Sequence, residues 1–194
     1  NINNNGKILS VGQWATPLWK GLSILENALI NAMRRISMKK QSHALTMTAE
    51  LIDIFKDREE GVNSIIGLCH DILGNNISFY TMDHGLKKIN IKELDFSQIA
   101  SANWHATSTY TASLVKSGLF IDVGSTTTDI IPFYDHKIHA RGINDQTRLR
   151  FDELVYTGVI RTPIMALTSK AIFNDQLQNI VAENFATTAD IYRI

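Results

Sequence analysis

Two aspartates, Asp122 and Asp129, stand seven residues apart and bracket a run of small, hydroxylated residues: Gly124, Ser125, Thr126, Thr127 and Thr128. Leu119-Phe120-Ile121 leads into this run and Ile130-Ile131 leads out of it. A hairpin tip of this composition can hold a phosphate. Gly124 allows a tight turn that a side chain would obstruct. Backbone N–H groups and hydroxyls then converge on the anion, while the carboxylates orient a metal ion or a water without touching the phosphate themselves. Gly-Ser-Thr clusters between apolar runs are often turns and nothing more. A purely structural turn, however, has no use for two carboxylates beside so many donors.

The elements that must position this tip can be read from periodicity. Asn3-Asn4-Asn5-Gly6 is a turn signal, and Lys7 to Trp14 reads as a strand. After Pro17, the residues Leu18, Leu22, Leu25, Leu29 and Met33 recur at helical spacing. The basic residues Arg34, Arg35, Lys39 and Lys40 close that helix, where they suit its C-terminal dipole. Ala44 to Met47 reads as a short strand. Asp57 and Glu60 form a capping pattern, which predicts a helix over Arg58 to Leu73, ended by Gly74-Asn75-Asn76. Ile77 to Thr81 reads as a strand. Ser97 is read as the cap of a helix to about Val115, with Ile99, Ala102, Ala106, Tyr110 and Leu114 inward. Ser117-Gly118 stops it and the hairpin begins. Asp135-His136 is a second turn, Lys137 to Ala140 a third strand, and Ala182 to Ile194 ends in a helical pattern. This order of elements suits an α/β protein with mixed sheets.

Composition narrows the function classes. Lys plus Arg equals Asp plus Glu at 19 each, so formal net charge is zero. That argues against a general binder of nucleic acid or of anionic membranes. The 194 residues and 44% hydrophobic content suit one large domain or two small lobes. Cys69 is the single cysteine, so there is no internal disulfide. Its apolar neighbours predict a buried, inert thiol. No apolar run reaches the ~18 residues needed for a spanning helix, and no secretory signal is visible. A cytoplasmic protein is the expectation. The six histidines form no zinc pattern, and no Gly-Lys-Ser/Thr loop of the Walker type occurs.

The run Asp122 to Asp129 resembles the second phosphate loop of the actin-like ATPase superfamily. Further stretches resemble one of its families: Gln13 to Gly21, Thr46 to Leu51, Ala102-Asn103-Trp104, Glu153 to Val159 with Arg161-Thr162-Pro163, and Phe185 to Asp190. In order and in combination they are similar to the hydantoinase/oxoprolinase-like proteins of the tetrahydromethanopterin-linked one-carbon transfer pathway. The resemblance covers nearly the whole chain. It implies an actin-like fold of two ribonuclease-H-like lobes with mixed sheets, residues 1–116 giving the first lobe and 117–194 the start of the second. The family's first Asp-Ile-Gly-Gly-type loop and its C-terminal part have no counterpart here, which implies truncation at both ends.

Archaeal members of that family are methanofuran-biosynthesis synthases. They join an aminomethylfuran, carried as its diphosphate, to the phenol of a glutamylated tyramine and release diphosphate. Bacterial relatives occur in methylotrophs that oxidise formaldehyde. The resemblance therefore implies a transferase acting on a small-molecule diphosphate, with magnesium as cofactor and a nucleotide allowed but not required. A homo-oligomer is compatible with it, and no nucleic-acid or membrane partner is expected. Asp122 is assigned to the metal side. Gly124, Ser125, Thr126, Thr127 and Thr128 are the phosphate donors. Asp129 either takes the phenol proton, orients a metal-bound water, or bonds its own hairpin. Arg161, Lys20 and Glu50 are the substrate-binding candidates; a solvated surface role competes for Arg161 and Lys20. Two other readings stay open: an ATP-using kinase or amide-ring hydrolase of the same superfamily, and a non-catalytic binding relative.

Overall fold

The capping pattern at Asp57 forms as the sequence requires. The computed structural model describes residues 2–3, 5–35, 41–89 and 95–194. Helix α2 runs Arg58–Leu73, and its N-cap Asp57 accepts the Glu60 amide at 2.9 Å. The return bond of Glu60 goes one residue further back, to the Lys56 amide at 2.7 Å. Gly74, at a positive φ of 78°, ends the helix. The chain divides into two compact units, Asn1–Ala106 and Thr107–Ile194.

In the first unit, a 3-10 turn Leu18–Lys20 precedes helix α1, Leu22–Arg35. Strand β1 is His43–Leu45, β2 is Ile77–Thr81 and β3 is Gly85–Lys87. β1 pairs parallel to β2 and β3 pairs antiparallel to β2, so this sheet is mixed. One face of α2 supplies Val62, Ile65, Ile66 and Cys69 to a core shared with Ile77 and Phe79 of β2, and Leu22, Leu25 and Leu29 of α1 pack against it. Burying each large apolar side chain is worth about 1.5–3 kcal/mol. The core therefore fixes α2 on the sheet.

Cys69 is buried in that core at 4% exposure, and burial pushes its thiol from 9.0 up to about 11. The unfolded chain thus releases this proton near pH 9 and the folded chain near pH 11. Stability present below pH 9 is lost as pH rises through that window, by about 2–3 kcal/mol at most. Urea unfolding at pH 8 and pH 11 should show this loss in the native chain and not in Cys69→Val.

Several expectations are corrected. Lys7 to Trp14 forms no strand; Ile8 makes an isolated bridge to Ile2 and the rest is irregular. The predicted helix from Ser97 is broken in two. A 3-10 turn, Phe96–Gln98, is capped by Asp95, not Ser97. Ser101 then takes a positive φ of 51°, and helix α3 starts at Asn103 and ends at Leu114. A residue in the left-handed region cannot continue an α-helix. Tyr110 and Leu114, expected inward, are both 66% exposed, whereas Ile99 and Ala102 are buried. Asn4 of the turn at Asn3 to Gly6, and Lys39 and Lys40, fall outside the described residues.

The second unit is built on the predicted meander. β4 is Gly118–Val123, β5 is Thr128–Tyr134 and β6 is Lys137–Ile138, two residues shorter than expected. Asp135 and His136 both have positive φ, as a two-residue primed hairpin turn demands. Helix α4, Asp145–Arg150, is closed by a capping box between Asn144 and Thr147. Strand β7, Leu154–Val155, then pairs with the first half of β5. A short helix α5, Ile164–Leu167, follows, then a hairpin of β8, Lys170–Phe173, and β9, Gln176–Asn179. The terminal helical pattern yields one short helix, α6, Thr188–Ile191.

Candidate functional site

Register decides where the two aspartates point. Asp122 of β4 lies directly opposite Asp129 of β5, as Phe120 does Ile131. Directly opposed residues share a sheet face, and so do residues two apart along a strand. The carboxylates therefore stand on the face that buries Ile131 (0% exposed) and Phe133 (6% exposed), at its open end beside the turn. Two like charges directly opposed are unfavourable. The structure answers this with Arg148 on α4.

The Arg148 side chain is 2% exposed, and its Nη2 donates to Asp129 Oδ1 at 2.6 Å and to the Glu153 carbonyl at 2.9 Å. Glu153, itself buried, accepts the amides of Arg141 at 2.6 Å and Gly142 at 2.8 Å. That holds the 141–142 backbone against Arg148. A Cβ on Gly142 would stand 2.5 Å from the Arg148 nitrogen and 2.7 Å from its Cγ. Glycine is required there by close approach, not by dihedral angle.

Two of the turn's carbonyls, those of Gly124 and Ser125, are engaged by the segment behind it, while three of its amides are not. The Gly124 amide donates to Thr127 O at 2.8 Å. Gly124 O accepts from Val159 at 3.0 Å, and Ser125 O accepts from Ile160 at 3.1 Å and Arg161 at 2.9 Å. Among the described residues, the amides of Ser125, Thr126 and Thr127 donate to no protein acceptor. Successive backbone donors left over in a turn can line an anion-binding concavity. The hydroxyls of Ser125 and Thr126 lie 3.5 Å apart. The Thr128 hydroxyl is drawn away and donates to Thr157 O at 2.6 Å. Of the five residues expected to donate to phosphate, Ser125, Thr126 and Thr127 keep side-chain hydroxyls that make no bond outside the turn.

The segment behind the turn is fixed in its own right. Thr162 Oγ1 accepts the Gly158 amide at 2.8 Å, and Thr188 Oγ1 donates to Gly158 O at 2.8 Å. Both threonines are buried. Gly158 sits directly on the turn: a Cβ there would stand 2.6 Å from Ser125 C and Thr126 N.

Asp122, Gly124 to Thr128, Asp129 and the backbone of Arg161 are therefore brought together in the second unit. The Arg161 side chain is exposed. Lys20 and Glu50 belong to the first unit. Lys20 is exposed at the end of the 3-10 turn. Glu50 is fully buried, accepts the Ser101 hydroxyl at 2.6 Å and has Arg58 Nε at 4.0 Å. Sequence reasoning missed Arg148, Glu153, Gly142, Gly158, Thr162 and Thr188. Glu153, Gly158, Thr162 and Thr188 lie in stretches that carried the family resemblance, but nothing local to them reveals which partner they meet.

No group of three or more His, Cys, Asp or Glu that could hold a metal ion exists among the described residues. No helix among them is long and apolar enough to cross a membrane.

Residues 41–194 match the hydantoinase/oxoprolinase family. The chain is 35% identical over 176 residues to the (4-{4-[2-(gamma-L-glutamylamino)ethyl]phenoxymethyl}furan-2-yl)methanamine synthase of Methanocaldococcus jannaschii, covering 90% of this chain and 52% of that protein. It is 46% identical over 76 residues to the synthase of the same name from Methanococcus vannielii, covering 39% of this chain and 34% of that protein. The chain thus spans about half the length of the first relative and a third of the second.

Proposed function

The chain belongs to the hydantoinase/oxoprolinase family, and from that premise we propose that its protein is a transferase of methanofuran-type cofactor biosynthesis. It joins an aminomethylfuran, carried as its diphosphate, to the phenol oxygen of a glutamyl-tyramine. The bond from the furan methylene to the diphosphate oxygen breaks, a bond to the phenol oxygen forms, and diphosphate leaves. The names of the two relatives supply the product, a phenoxymethylfuran methanamine carrying a glutamylaminoethyl group. The alternating elements and mixed sheet of the first unit are in keeping with an actin-like fold of two ribonuclease-H-like lobes, of which residues 117–194 begin the second.

The observation that carries the proposal is the turn whose Gly124 and Ser125 carbonyls are engaged by the segment behind it while three consecutive amides are left to donate. A leaving diphosphate gathers negative charge as the bond breaks, and donors already in place stabilise that charge without reorganising. Ser125, Thr126 and Thr127 bind the phosphates through amides and hydroxyls. Arg161, anchored by its amide on Ser125, supplies a planar cation at the rim. Asp129 takes the phenol proton as the ether bond forms, through the oxygen that Arg148 does not bond. Magnesium fits this donor set, because it takes one or two carboxylates plus substrate phosphates rather than an all-protein cage. Asp122 would hold it, directly or through water. When bound, it neutralises charge on the departing diphosphate.

The deciding experiment measures diphosphate release by the full-length protein from the aminomethylfuran diphosphate and glutamyl-tyramine in the absence of ATP. Release matched by formation of the aryl ether supports the transferase. Hydrolysis of ATP stimulated by a sugar or a hydantoin, with no ether formed, moves the protein to the kinase or amide-ring hydrolase branch of the superfamily.

A further inference from the structure

We propose that Arg148 is a positioning residue: it neutralises one member of the opposed Asp122–Asp129 pair and holds Asp129 by a single oxygen, so that the face beside the turn admits a diphosphate with its cation instead of trapping a cation alone. The inference rests on the phosphate reading of the turn and adds a residue that acts through another.

Three observations carry it. The two aspartates are cross-strand partners on one face, where repulsion would otherwise splay the hairpin or draw in a cation. Arg148 is buried and its 2.6 Å bond goes to Oδ1, while Oδ2 of Asp129 has no partner among the described residues. The backbone and Cγ of Arg148 also pack against a segment that only glycine permits at position 142, pinned by two amide bonds to the buried Glu153, and the guanidinium donates to the Glu153 carbonyl. A surface ion pair needs no such support. With Arg148 in place, the pair carries one net negative charge and keeps one carboxylate oriented. Without it, two negative charges face each other beside a site meant for an anion.

That charge count separates a positioning role from a merely structural one, because the two ligands should respond in opposite directions. The test uses the full-length protein, with folding checked by circular dichroism, and two probes: Mn²⁺ alone by electron paramagnetic resonance, and inorganic diphosphate with Mg²⁺ by calorimetry. Arg148→Met should bind Mn²⁺ alone about fivefold more tightly and magnesium diphosphate about tenfold more weakly. Adding Asp129→Asn to Arg148→Met should return Mn²⁺ affinity to the native value. Arg148→Lys keeps the charge but loses the planar fork, so it should leave Mn²⁺ affinity unchanged and still weaken diphosphate binding. It also stands in if the methionine variant does not fold. Both affinities moving together, or neither moving in a folded variant, would overturn the assignment. If the native protein binds no diphosphate, the phosphate reading fails, and the Mn²⁺ comparison still decides the role of Arg148.

Discussion

Gly158→Ala should lower kcat/KM for the diphosphate substrate by about 100-fold while the protein remains folded. The added Cβ would stand 2.6 Å from Ser125 C and Thr126 N and 2.7 Å from Gly124 O. All three are backbone atoms of the turn, so no flexible side chain can yield. Either the turn moves outward or the 158–162 segment moves back. Each movement breaks the bonds from Val159, Ile160 and Arg161 that hold the turn's carbonyls. A displacement of about 1 Å at a positioning element is enough for a loss of ~10² in rate. Overpacking should also cost about 1–3 kcal/mol of stability. Steady-state kinetics together with urea unfolding separate the two effects. Native diphosphate affinity in the alanine variant would mean that the turn is not the ligand site.

Asp122→Asn should lower kcat by about 10²–10³, the usual loss when one group that stabilises transition-state charge is removed. Stability should move the other way. Asp122 lies directly opposite Asp129, and removing one of two opposed like charges relieves about 0.2–1 kcal/mol of repulsion. Asp122 is exposed, so the amide needs no new buried partner. A small rise in melting temperature alongside a collapse in turnover marks a functional carboxylate. A fall in both would make Asp122 a structural residue of the hairpin.

The hairpin and its two aspartates were legible because every signal there is local. Apolar runs set the strands, Gly and the hydroxylated residues set the turn, and the spacing of seven set the opposed pair. Helix α2 was legible for the same reason, since cap, face and stop lie within one stretch. The β8–β9 hairpin carries a comparable turn signal at Asn174-Asp175, both at positive φ, but its strands are short and exposed on every residue, so no apolar alternation marks them. The helix predicted from Ser97 failed where the pattern was continuous but the backbone was not: the Ser101 hydroxyl bonds to Glu50, fifty-one positions away, and its φ is positive.

The amino-acid order alone determined which residue types face one another at the tip of the β4–β5 hairpin, because strand pairing across a short turn is settled by chain connectivity and period-two alternation. Only tertiary structure decided that Arg148 meets Asp129 and that Gly158 and Arg161 close behind Ser125. Those contacts join residues 19 to 36 positions apart through loops whose path follows from packing and buried hydrogen bonds, not from any local preference.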